Sequence, residues 1–345
     1  MTWTWFHRLG SPPYVYALAQ RLTPWLAWPA ALLIAAGLWG GLWLAPPDYQ
    51  QGDGFRIIYV HAPSAWLSLM VYTTMAVAAA VGLIWRIKVA HAVAASCAAI
   101  GASFTLVALV TGASRGIGAA IALRLAREGA AVALTFATAA DKAQAVAKQI
   151  DADGGRALVI RADNADSAAV AAAVEQTVRV LGRLDILVNN AGIFTGGPLE
   201  EMTTEQADRL WSVNVRAVFI ATQAAARHMG EGGRIITIGS ALAERVPVPG
   251  MTLYTMTKAA LTGLTKGLAR DLGPRGITAT VVHGGLIDTD MNPADGPAAE
   301  LLSGVTALGR YGGAEDIAAA VAHLAGDGGR YISGTAVTVD GGFAA

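Results

Sequence analysis

The pattern of apolar and polar positions changes character near residue 105. Before it, long uncharged stretches dominate; after it, short apolar runs alternate with longer stretches of helical periodicity. Seven runs have the length and composition of buried strands, at 106–110, 131–136, 157–161, 186–189, 234–238, 278–282 and 336–339. Helical patterns separate most of them, for example at 118–128, 140–152 and 168–181. This alternation predicts an α/β domain over residues 106–345, with a doubly wound parallel sheet that binds ligands at the carboxyl ends of its strands.

Two uncharged stretches in the first hundred residues, at about 25–45 and 65–85, are each long enough to cross a bilayer. Tryptophans lie towards both ends of the first stretch, where interfacial aromatic side chains are favoured. Residues 1–105 are therefore predicted to be a membrane segment with two transmembrane helices.

Basic residues give this segment an orientation. Arg8 and Arg21 precede the first span, and Arg86 and Lys88 follow the second, so the positive-inside rule places both flanks in the cytoplasm. The weakly apolar run at 89–105 is predicted to be a helical linker. We expect the protein in a bacterial inner membrane, with its C-terminal domain in the cytoplasm.

Composition narrows the possible partners. Lysine plus arginine equals aspartate plus glutamate, at 25 each, so no basic field favours nucleic acid as a partner. The single cysteine, Cys97, excludes an internal disulfide and a cysteine metal cluster. The six histidines are scattered, so no metal site is predicted.

Residues 1–112 closely resemble the N-terminal part of the haem exporter protein C family of cytochrome c maturation. The resemblance is carried by TWFHRLGSPPY, APPDYQQGD, IIYVHAPSAWLSLMVYTTMAVAAAVGLIWRIK and IGASFTLVALVTG. It implies a haem ligand at His61, but the chain lacks the family's tryptophan-rich haem-binding segment and second histidine. The alternative is a histidine near the membrane interface without a ligand, and haem is the less favoured cofactor.

A glycine-rich turn follows the strand at 106–110 and leads into a helix. Gly112, Gly116 and Gly118 have the spacing G-x-x-x-G-x-G. Glycines permit a tight turn and a close approach to phosphates, and a helix N-terminus offers free N–H groups and a partial positive charge. The pattern predicts a pyrophosphate site; a purely structural turn is the alternative.

From Leu106 to Ala345 the chain resembles the short-chain dehydrogenase/reductase family. The resemblance is carried by TGASRGIG at 111–118, Asp163, NNAG at 189–192, Asn214 within SVNV, Ser240 within IGS, Tyr254 and Lys258 within YTMTK, and the ending SGTAVTVDGGF. It implies a Rossmann-type fold and hydride transfer between NAD(P) and a small carbonyl or alcohol. It also implies a homotetramer built on the helices around Asn214 and Tyr254.

Tyr254 and Lys258 are four residues apart, so they share one face of a helix. A phenol with a pKa near 10 is a poor acid–base catalyst at neutral pH. Because a neighbouring ammonium stabilises a phenolate, we expect Lys258, and an oxidised nicotinamide ring, to lower the pKa of Tyr254. Tyr254 then donates a proton to a carbonyl oxygen, or takes it back in the reverse direction. A solvated helix face is the alternative.

The resemblance assigns roles to further residues. Ser240, at the end of a predicted strand, would hold the substrate oxygen, and Asn214 would support Lys258 through water. The implied cofactor contacts are Gly112, Ser114, Arg115, Gly116, Ile117, Gly118, Asp163, Asn189, Ala191, Gly192, Tyr254, Lys258 and Thr289. The alternatives are a strand-end serine, a helix-kink or capping asparagine, and an ordinary turn at 189–192.

The second predicted strand indicates which nicotinamide cofactor is used. NAD sites usually place an acidic residue at the end of this strand, to bind the ribose hydroxyls. Here no acid occurs until Asp141, and Arg115 lies in the glycine turn, where it can meet a 2′-phosphate. Both observations favour NADPH over NAD.

One departure from the family pattern follows the sixth predicted strand. Gly284 stands where the family usually has proline, within the run His283-Gly284-Gly285. We expect a more flexible loop, an entropic cost of ordering it, and weaker cofactor contact at Thr289. His283 is interpreted as a strand-end residue rather than a catalytic one.

Three functions remain open. The favoured one is an NADPH-dependent oxidoreductase, similar to 3-oxoacyl-ACP reductases, fused behind two membrane helices. A cyclic di-GMP-binding regulator is the second, because 238–251 and MNPADGP resemble a branch of the family associated with that ligand. A haem-handling membrane protein is the third. The string ALVTG at 108–112 is common to both resembled families and marks a plausible crossover, and we expect 106–110 to belong to the sheet.

Overall fold

The computed structural model describes residues 106–296 and 299–345. The predicted transmembrane helices, the linker at 89–105 and His61 lie outside the described residues. Within the described ranges, no helix combines the length and the apolar character that a membrane crossing needs.

A parallel sheet of seven strands forms the centre of the described domain, in the order β3-β2-β1-β4-β5-β6-β7. The strands are β1 (Val107–Val110), β2 (Ala131–Phe136), β3 (Arg156–Arg161), β4 (Ile186–Asn189), β5 (Arg234–Ile238), β6 (Thr278–Gly284) and β7 (Thr335–Val339). Each predicted strand is present, with ends that differ by at most two residues. The predicted α/β doubly wound sheet is confirmed for this domain.

Helices connect the strands. Counted along the described residues, they are α1 (Gly116–Arg127), α2 (Ala140–Ala152), α3 (Ser167–Leu181), α4 (Thr204–Trp211), α5 (Ala217–Ala226), α6 (Thr252–Leu272), α7 (Ala299–Ser303) and α8 (Ala314–Ala325). A π-helical turn, Ser212–Arg216, joins α4 to α5. Short 3-10 turns lie at Leu199–Glu201, Ala241–Ala243, Gly273–Arg275 and Asp327–Gly329. The first three helices match the predicted helical stretches.

Helices cover both faces of the sheet, which is why its strands read as continuous apolar runs. α1, α2 and α8 pack on one face, and α3, α5 and the end of α6 pack on the other. In β1, Ala108 and Val110 belong to the first core and Leu109 to the second. All four residues of β1 are buried, so the expectation that this run belongs to the sheet is confirmed.

The strand order changes side at β1: β2 and β3 are added on one side of it, and β4 to β7 on the other. β2 pairs with one edge of β1 and β4 pairs with the other. The segments that leave β1 and β4 therefore diverge and open a crevice at the carboxyl ends of the strands. The glycine turn and the NNAG motif both lie at this crevice.

β6 runs two residues beyond its predicted end. His283 and Gly284 pair with Thr338 and Val339 of β7, and Gly285 N donates to the Val339 carbonyl at 3.0 Å. The predicted flexible loop therefore begins later than expected, because pairing with a strand far along the chain continues β6. Weaker cofactor contact at Thr289 stays a prediction.

Candidate functional site

The glycine turn after β1 lines a cavity of about 480 Å³, named here the glycine-turn cavity. Gly112 and Gly116 adopt left-handed conformations, with φ of 64° and 53°. A Cβ on Gly118 would lie 2.5 Å from both Asn190 Nδ2 and the Gly112 carbonyl. The turn therefore requires glycine for conformation at two positions and for space at the third.

Side chains from β2 and from the segment after β4 hold the turn in place. Thr135 Oγ1 accepts a hydrogen bond from Gly112 N at 3.1 Å. Asn190 Nδ2 donates to the carbonyls of Thr111 and Gly112 at 2.9 and 3.1 Å. Thr111 Oγ1 in turn accepts from Asn190 N at 2.9 Å. The turn is thus preorganised by β2 and by the segment after β4.

The N-terminus of α1 faces the same cavity. Its N-cap residue, Arg115, makes no side-chain cap hydrogen bond. The first N–H groups of a helix have no intrahelical acceptor and carry partial positive charge. At Gly116 the missing side chain leaves the helix start open towards Thr289. This combination fits a phosphate group.

Most residues that the sequence predicts as cofactor contacts line the glycine-turn cavity: Gly112, Ser114, Arg115, Gly116, Ile117, Gly118, Asp163, Ala191, Gly192, Tyr254, Lys258 and Thr289. Asn189 does not. Its side chain is 3% exposed, and Nδ2 donates to Thr222 Oγ1 in α5 at 3.2 Å. Because side chains alternate along a strand, the next residue, Asn190, faces the cavity instead.

A charged cluster that the sequence did not reveal lies at the rim of the cavity. The Asp290 carboxylate pairs with Lys142 Nζ at 3.1 Å and with Arg115 Nε at 3.6 Å. All three side chains are more than half exposed, so these pairs are weak. At the end of β2 the cavity is lined by Phe136, Ala137 and Thr138, without an acidic side chain in this described stretch. The rim therefore suits a 2′-phosphate better than a free ribose hydroxyl.

Tyr254 and Lys258 lie one turn apart in α6 and share a face, as their spacing predicts. Lys258 is 5% exposed, and its Nζ donates to the Ile238 carbonyl at 2.9 Å. The same Nζ lies 5.7 Å from the centre of the Tyr254 ring. Phe194 packs edge-on against Tyr254, with ring centres 5.2 Å apart. The pair is therefore held between the end of β5 and the segment after β4.

Burial dominates the proton affinities of this pair. It raises the pKa of Tyr254 to about 12, against a smaller lowering by the hydrogen bond with Ser240. It lowers the pKa of Lys258 to about 8. The expectation that the Tyr254 pKa is lowered is therefore wrong for the protein's own groups, because desolvation of the phenolate raises it and outweighs the hydrogen bond with Ser240. The effect of a nicotinamide ring stays a prediction.

Ser240 follows β5 and caps the 3-10 turn Ala241–Ala243. Its Oγ accepts from Leu242 N at 3.2 Å, and its hydroxyl interacts with the Tyr254 phenol. Its backbone N–H donates to His283 Nδ1 at 3.1 Å. Ser240 is thus held through both its side chain and its backbone.

Asn214 lies in the π-helical turn between α4 and α5, a geometry that is frequent at functional sites. Its Oδ1 accepts from Ile193 N at 2.9 Å, and its Nδ2 donates to the Ile193 carbonyl and to Thr257 Oγ1 at 3.0 and 3.1 Å. These bonds tie the segment after β4 to the residue beside Lys258. The water-mediated support of Lys258 stays a prediction.

Ser240 and Tyr254 also line a second cavity of about 240 Å³, the apolar cavity. Its other walls include Phe194, Leu242, Val248, Met251, Leu286 and Phe343. Arg245 Nη1 donates to the Phe343 carbonyl at 2.6 Å and so fixes the C-terminal wall. The apolar cavity therefore suits an apolar molecule that presents one oxygen to the two hydroxyl groups.

Comparisons with known proteins cover both parts of the chain. The model of the family described as Enoyl-(Acyl carrier protein) reductase matches residues 112–344. The model of the family described as Heme exporter protein C matches residues 5–119. Both resemblances found in the sequence, and the fusion of the two segments, are thereby confirmed.

Two relatives and one solved structure match the C-terminal part. The cyclic-di-GMP-binding biofilm dispersal mediator protein of Escherichia coli is 45% identical over 237 residues, which are 69% of this chain and 96% of that protein. A 3-oxoacyl-acyl-carrier-protein reductase of Staphylococcus aureus is 42% identical over 239 residues, or 68% of this chain and 96% of that protein. A short chain dehydrogenase from Burkholderia cenocepacia, solved in complex with NADP, is 58% identical with a TM-score of 0.68, covering 69% of this chain and 97% of that one.

Proposed function

Since the chain belongs to the short-chain dehydrogenase/reductase family, we propose that its described domain is an NADPH-dependent oxidoreductase that acts on a small carbonyl or alcohol. The observation that carries the proposal is the convergence of Ser240, Tyr254 and Lys258 at the junction of the glycine-turn cavity and the apolar cavity. A fold alone does not imply a reaction, but this placement gives each side chain a chemical task.

The residues around the glycine turn fit NADPH. The turn and the start of α1 would hold the pyrophosphate, Asp163 the adenine, and Arg115 the 2′-phosphate, with Asn190 in the place predicted for Asn189. Ala191, Gly192 and Thr289 would contact the nicotinamide half. The NADP complex of the Burkholderia relative, at 58% identity, supports the choice of cofactor.

Proton transfer follows from the catalytic geometry. Bound NADPH supplies the hydride. The Tyr254 phenol, kept protonated by its raised pKa, donates its proton to the carbonyl oxygen. Ser240 hydrogen-bonds to the same oxygen, and its Oγ is oriented by the bond from Leu242 N. Lys258, supported through Asn214 and water, stabilises the phenolate that remains, and the reverse steps oxidise an alcohol.

An assay of NADPH oxidation with ethyl acetoacetate, a simple 3-oxo ester, tests this function. Tyr254→Phe should lower kcat/KM at least about 100-fold, because general acid–base catalysis is lost, while NADPH still binds. Tyr331→Phe is the matched control, because the Tyr331 side chain is 98% exposed. Wild-type turnover in the Tyr254→Phe variant would remove the proposed role of Tyr254.

The finer substrate class is a 3-oxoacyl group. The apolar lining beside Ser240 and Tyr254, and the 42% identity to the Staphylococcus aureus reductase, support it. A series of 3-oxo esters of increasing chain length tests it, and kcat/KM should rise with chain length. A flat series contradicts a 3-oxoacyl substrate but leaves a smaller carbonyl substrate in place.

A cyclic di-GMP-binding regulator is the second candidate. The 45% identity to the Escherichia coli cyclic-di-GMP-binding protein favours it, whereas the intact Ser240, Tyr254 and Lys258 favour catalysis. Titration with cyclic di-GMP beside the NADPH assay separates the two. Tight binding of the dinucleotide without carbonyl-dependent NADPH oxidation would replace the enzyme by the regulator.

For the whole chain we propose residues 1–105 as a two-span membrane segment of the bacterial inner membrane, with the reductase domain at 106–345 in the cytoplasm. The match to heme exporter protein C supports a membrane location.

Haem binding at His61 is the less favoured alternative. It predicts a Soret band that is lost in His61→Ala, and a colourless purified protein would exclude it.

We also propose a homotetramer. Trp211, Phe219 and Met256, on the helices around Asn214 and Tyr254, are 43%, 46% and 43% exposed, which supports an interface there. Light scattering during size-exclusion chromatography of the detergent-solubilised protein tests it, and a monomer would contradict it.

A further inference from the structure

His283 lies against Ser240 but takes no part in the proposed proton transfer. Its side chain is fully buried, at 0% exposure. Nδ1 accepts from Ser240 N at 3.1 Å, and Nε2 lies 3.2 Å from Thr262 Oγ1 in α6. The imidazole thus connects the end of β6 to Ser240 and to the helix that carries Tyr254.

The bond to Ser240 fixes the tautomer of His283. A backbone N–H only donates, so Nδ1 must carry a lone pair, and the proton of the neutral ring lies on Nε2 and points to Thr262. Burial lowers the pKa of His283, opposed by Glu244, whose Oε1 lies 3.9 Å from Nε2, and assisted by Lys258 in α6. The strand neighbours at this level, Gly239 and Thr338, carry no charge. The ring is therefore neutral near pH 7 and keeps its acceptor.

Gly239 completes the arrangement. A Cβ at this position would collide with His283 Nδ1. The imidazole therefore occupies the space that any side chain at position 239, directly before Ser240, would need. Gly239 N also donates to the Val282 carbonyl at 2.7 Å. The backbone that leads into Ser240 is therefore fixed from β6 by two hydrogen bonds at consecutive residues.

We propose that His283 is a positioning residue, whose Nδ1 holds the backbone N–H of Ser240 and so directs the Ser240 hydroxyl at the substrate oxygen. Its effect on turnover rests on the proposed reductase function, whereas the hydrogen bond itself can be tested without turnover.

Two substitutions at position 283 separate positioning from a merely structural role. His283→Asn keeps a polar atom at the δ position, where Oδ1 can accept from Ser240 N, and loses the contact with Thr262. His283→Gln puts a carbon at the δ position and keeps polar atoms at the ε position, within reach of Thr262. A merely structural role predicts a similar loss of turnover in both variants. Positioning of Ser240 predicts that the Asn variant keeps its turnover and that the Gln variant loses it.

In the NADPH assay with ethyl acetoacetate, we expect kcat of His283→Asn to stay close to wild type. We expect kcat of His283→Gln to fall roughly 5- to 100-fold, because a buried N–H loses its acceptor, with KM for NADPH unchanged. His228→Asn is the control, since His228 pairs with Glu175 at 2.9 Å on the surface. Equal kcat in the two variants at 283, or a greater loss in the Asn variant, would overturn the proposal.

Amide exchange and nitrogen shifts give readings that do not depend on turnover. Faster hydrogen exchange at the Ser240 amide in His283→Gln than in His283→Asn supports the proposal, and equal exchange overturns it. The ¹⁵N NMR shift of His283 Nδ1 in the wild type gives a second reading that needs no variant. An unprotonated Nδ1 supports the proposal, and a protonated Nδ1 overturns it. Absence of turnover in the wild type counts against the reductase function alone.

Discussion

At the scale of single residues, Tyr254 and Lys258 respond to the same burial in opposite directions, because burial disfavours whichever form is charged. The pKa of Tyr254 is raised to about 12 and that of Lys258 is lowered to about 8. A protonated phenol suits the reducing direction, in which the proposed role of Tyr254 is to donate its proton. Lys258, by contrast, loses its charge just above neutral pH, so we expect it to set the alkaline limit of reduction.

We therefore expect kcat/KM for carbonyl reduction to be level near neutral pH and to fall as the pH rises through about 8. This quantity reports the groups of the free enzyme. Lys258→Arg keeps a positive charge at alkaline pH, so its profile should lack this fall even at a lower overall rate. Initial rates across the neutral and alkaline range test both profiles, and a wild-type profile that stays level well above pH 8 contradicts the assignment to Lys258.

The same lysine should destabilise the fold. Its pKa in the folded protein is lowered from an ordinary 10.5 to about 8. Between these values the unfolded chain binds the proton and the folded protein does not, so the free energy of unfolding rises with pH across that window. Below it, the folded protein carries a buried charge that Lys258→Met removes.

We expect Lys258→Met to raise the free energy of unfolding at pH 7 by on the order of 1–3 kcal/mol, with loss of carbonyl reduction. Lys266→Met is the matched control, because Lys266 is an exposed residue of the same helix. Urea unfolding without added NADPH measures the difference. A Lys258→Met protein less stable than wild type, beside an unchanged control, would show that the bond from Nζ to the Ile238 carbonyl outweighs the burial of the charge.

At the scale of elements, the glycine turn and the first turn of α1 line the same cavity, where we propose that they bind the cofactor together. The turn supplies conformation and space, and Arg115 supplies a mobile charge that is only weakly paired with Asp290 at 3.6 Å. A 2′-phosphate can therefore recruit Arg115 without breaking a strong contact. Cofactor preference should thus depend on this one side chain more than on the turn.

Arg115→Ala should lower kcat/KM with NADPH roughly 10- to 100-fold, the value of a charge-assisted hydrogen bond, and should change kcat/KM with NADH little. Arg127→Ala is the control in the same helix, because Arg127 makes only an exposed ion pair with Asp153 at 3.8 Å. Parallel assays with the two cofactors measure the preference. Equal losses with both would mean that Arg115 stabilises the turn rather than the phosphate.

The strands and main helices could be predicted because periodicity and apolar composition are local properties. β2, β4 and β5 have their predicted bounds. β6 does not, since His283 and Gly284 are held in the strand by pairing with β7. The π-helical turn around Asn214 was also missed, because its apolar spacing does not differ from that of an α-helix.

The candidate site was predictable from motifs to the level of residue identity but not of orientation. The motif NNAG leaves open which asparagine faces the cavity, because that depends on where β4 ends. In the structure Asn190, rather than Asn189, faces it. The direction of the Tyr254 pKa depends on burial by distant segments. His283 looked like an ordinary strand end, because its bond to Ser240 joins residues 43 positions apart.

At the scale of the whole chain, the two family matches overlap at residues 112–119. These residues form the glycine turn and the start of α1. β1, just before them, is buried and paired on both edges. A strand in the centre of a sheet cannot also complete a membrane span, so the residues of β1 cannot lengthen a third span. Two spans followed by a linker at 89–105 stay the prediction for the preceding residues.

The two predicted spans would place both ends of the chain in the cytoplasm, where NADPH is available. Alkaline phosphatase, which is active only after export, should therefore be inactive when fused after Ala345, whereas a fluorescent protein at the same position should fluoresce in the membrane fraction. Asp53 lies between the two predicted spans, and the predicted orientation places this connecting stretch outside the cytoplasm. Fusion of the phosphatase after Asp53 is therefore the matched control and should be active. An active phosphatase at Ala345 would contradict the two-span topology. It would also place the reductase domain outside the compartment that supplies NADPH, which would count against the proposed use of that cofactor in the cell.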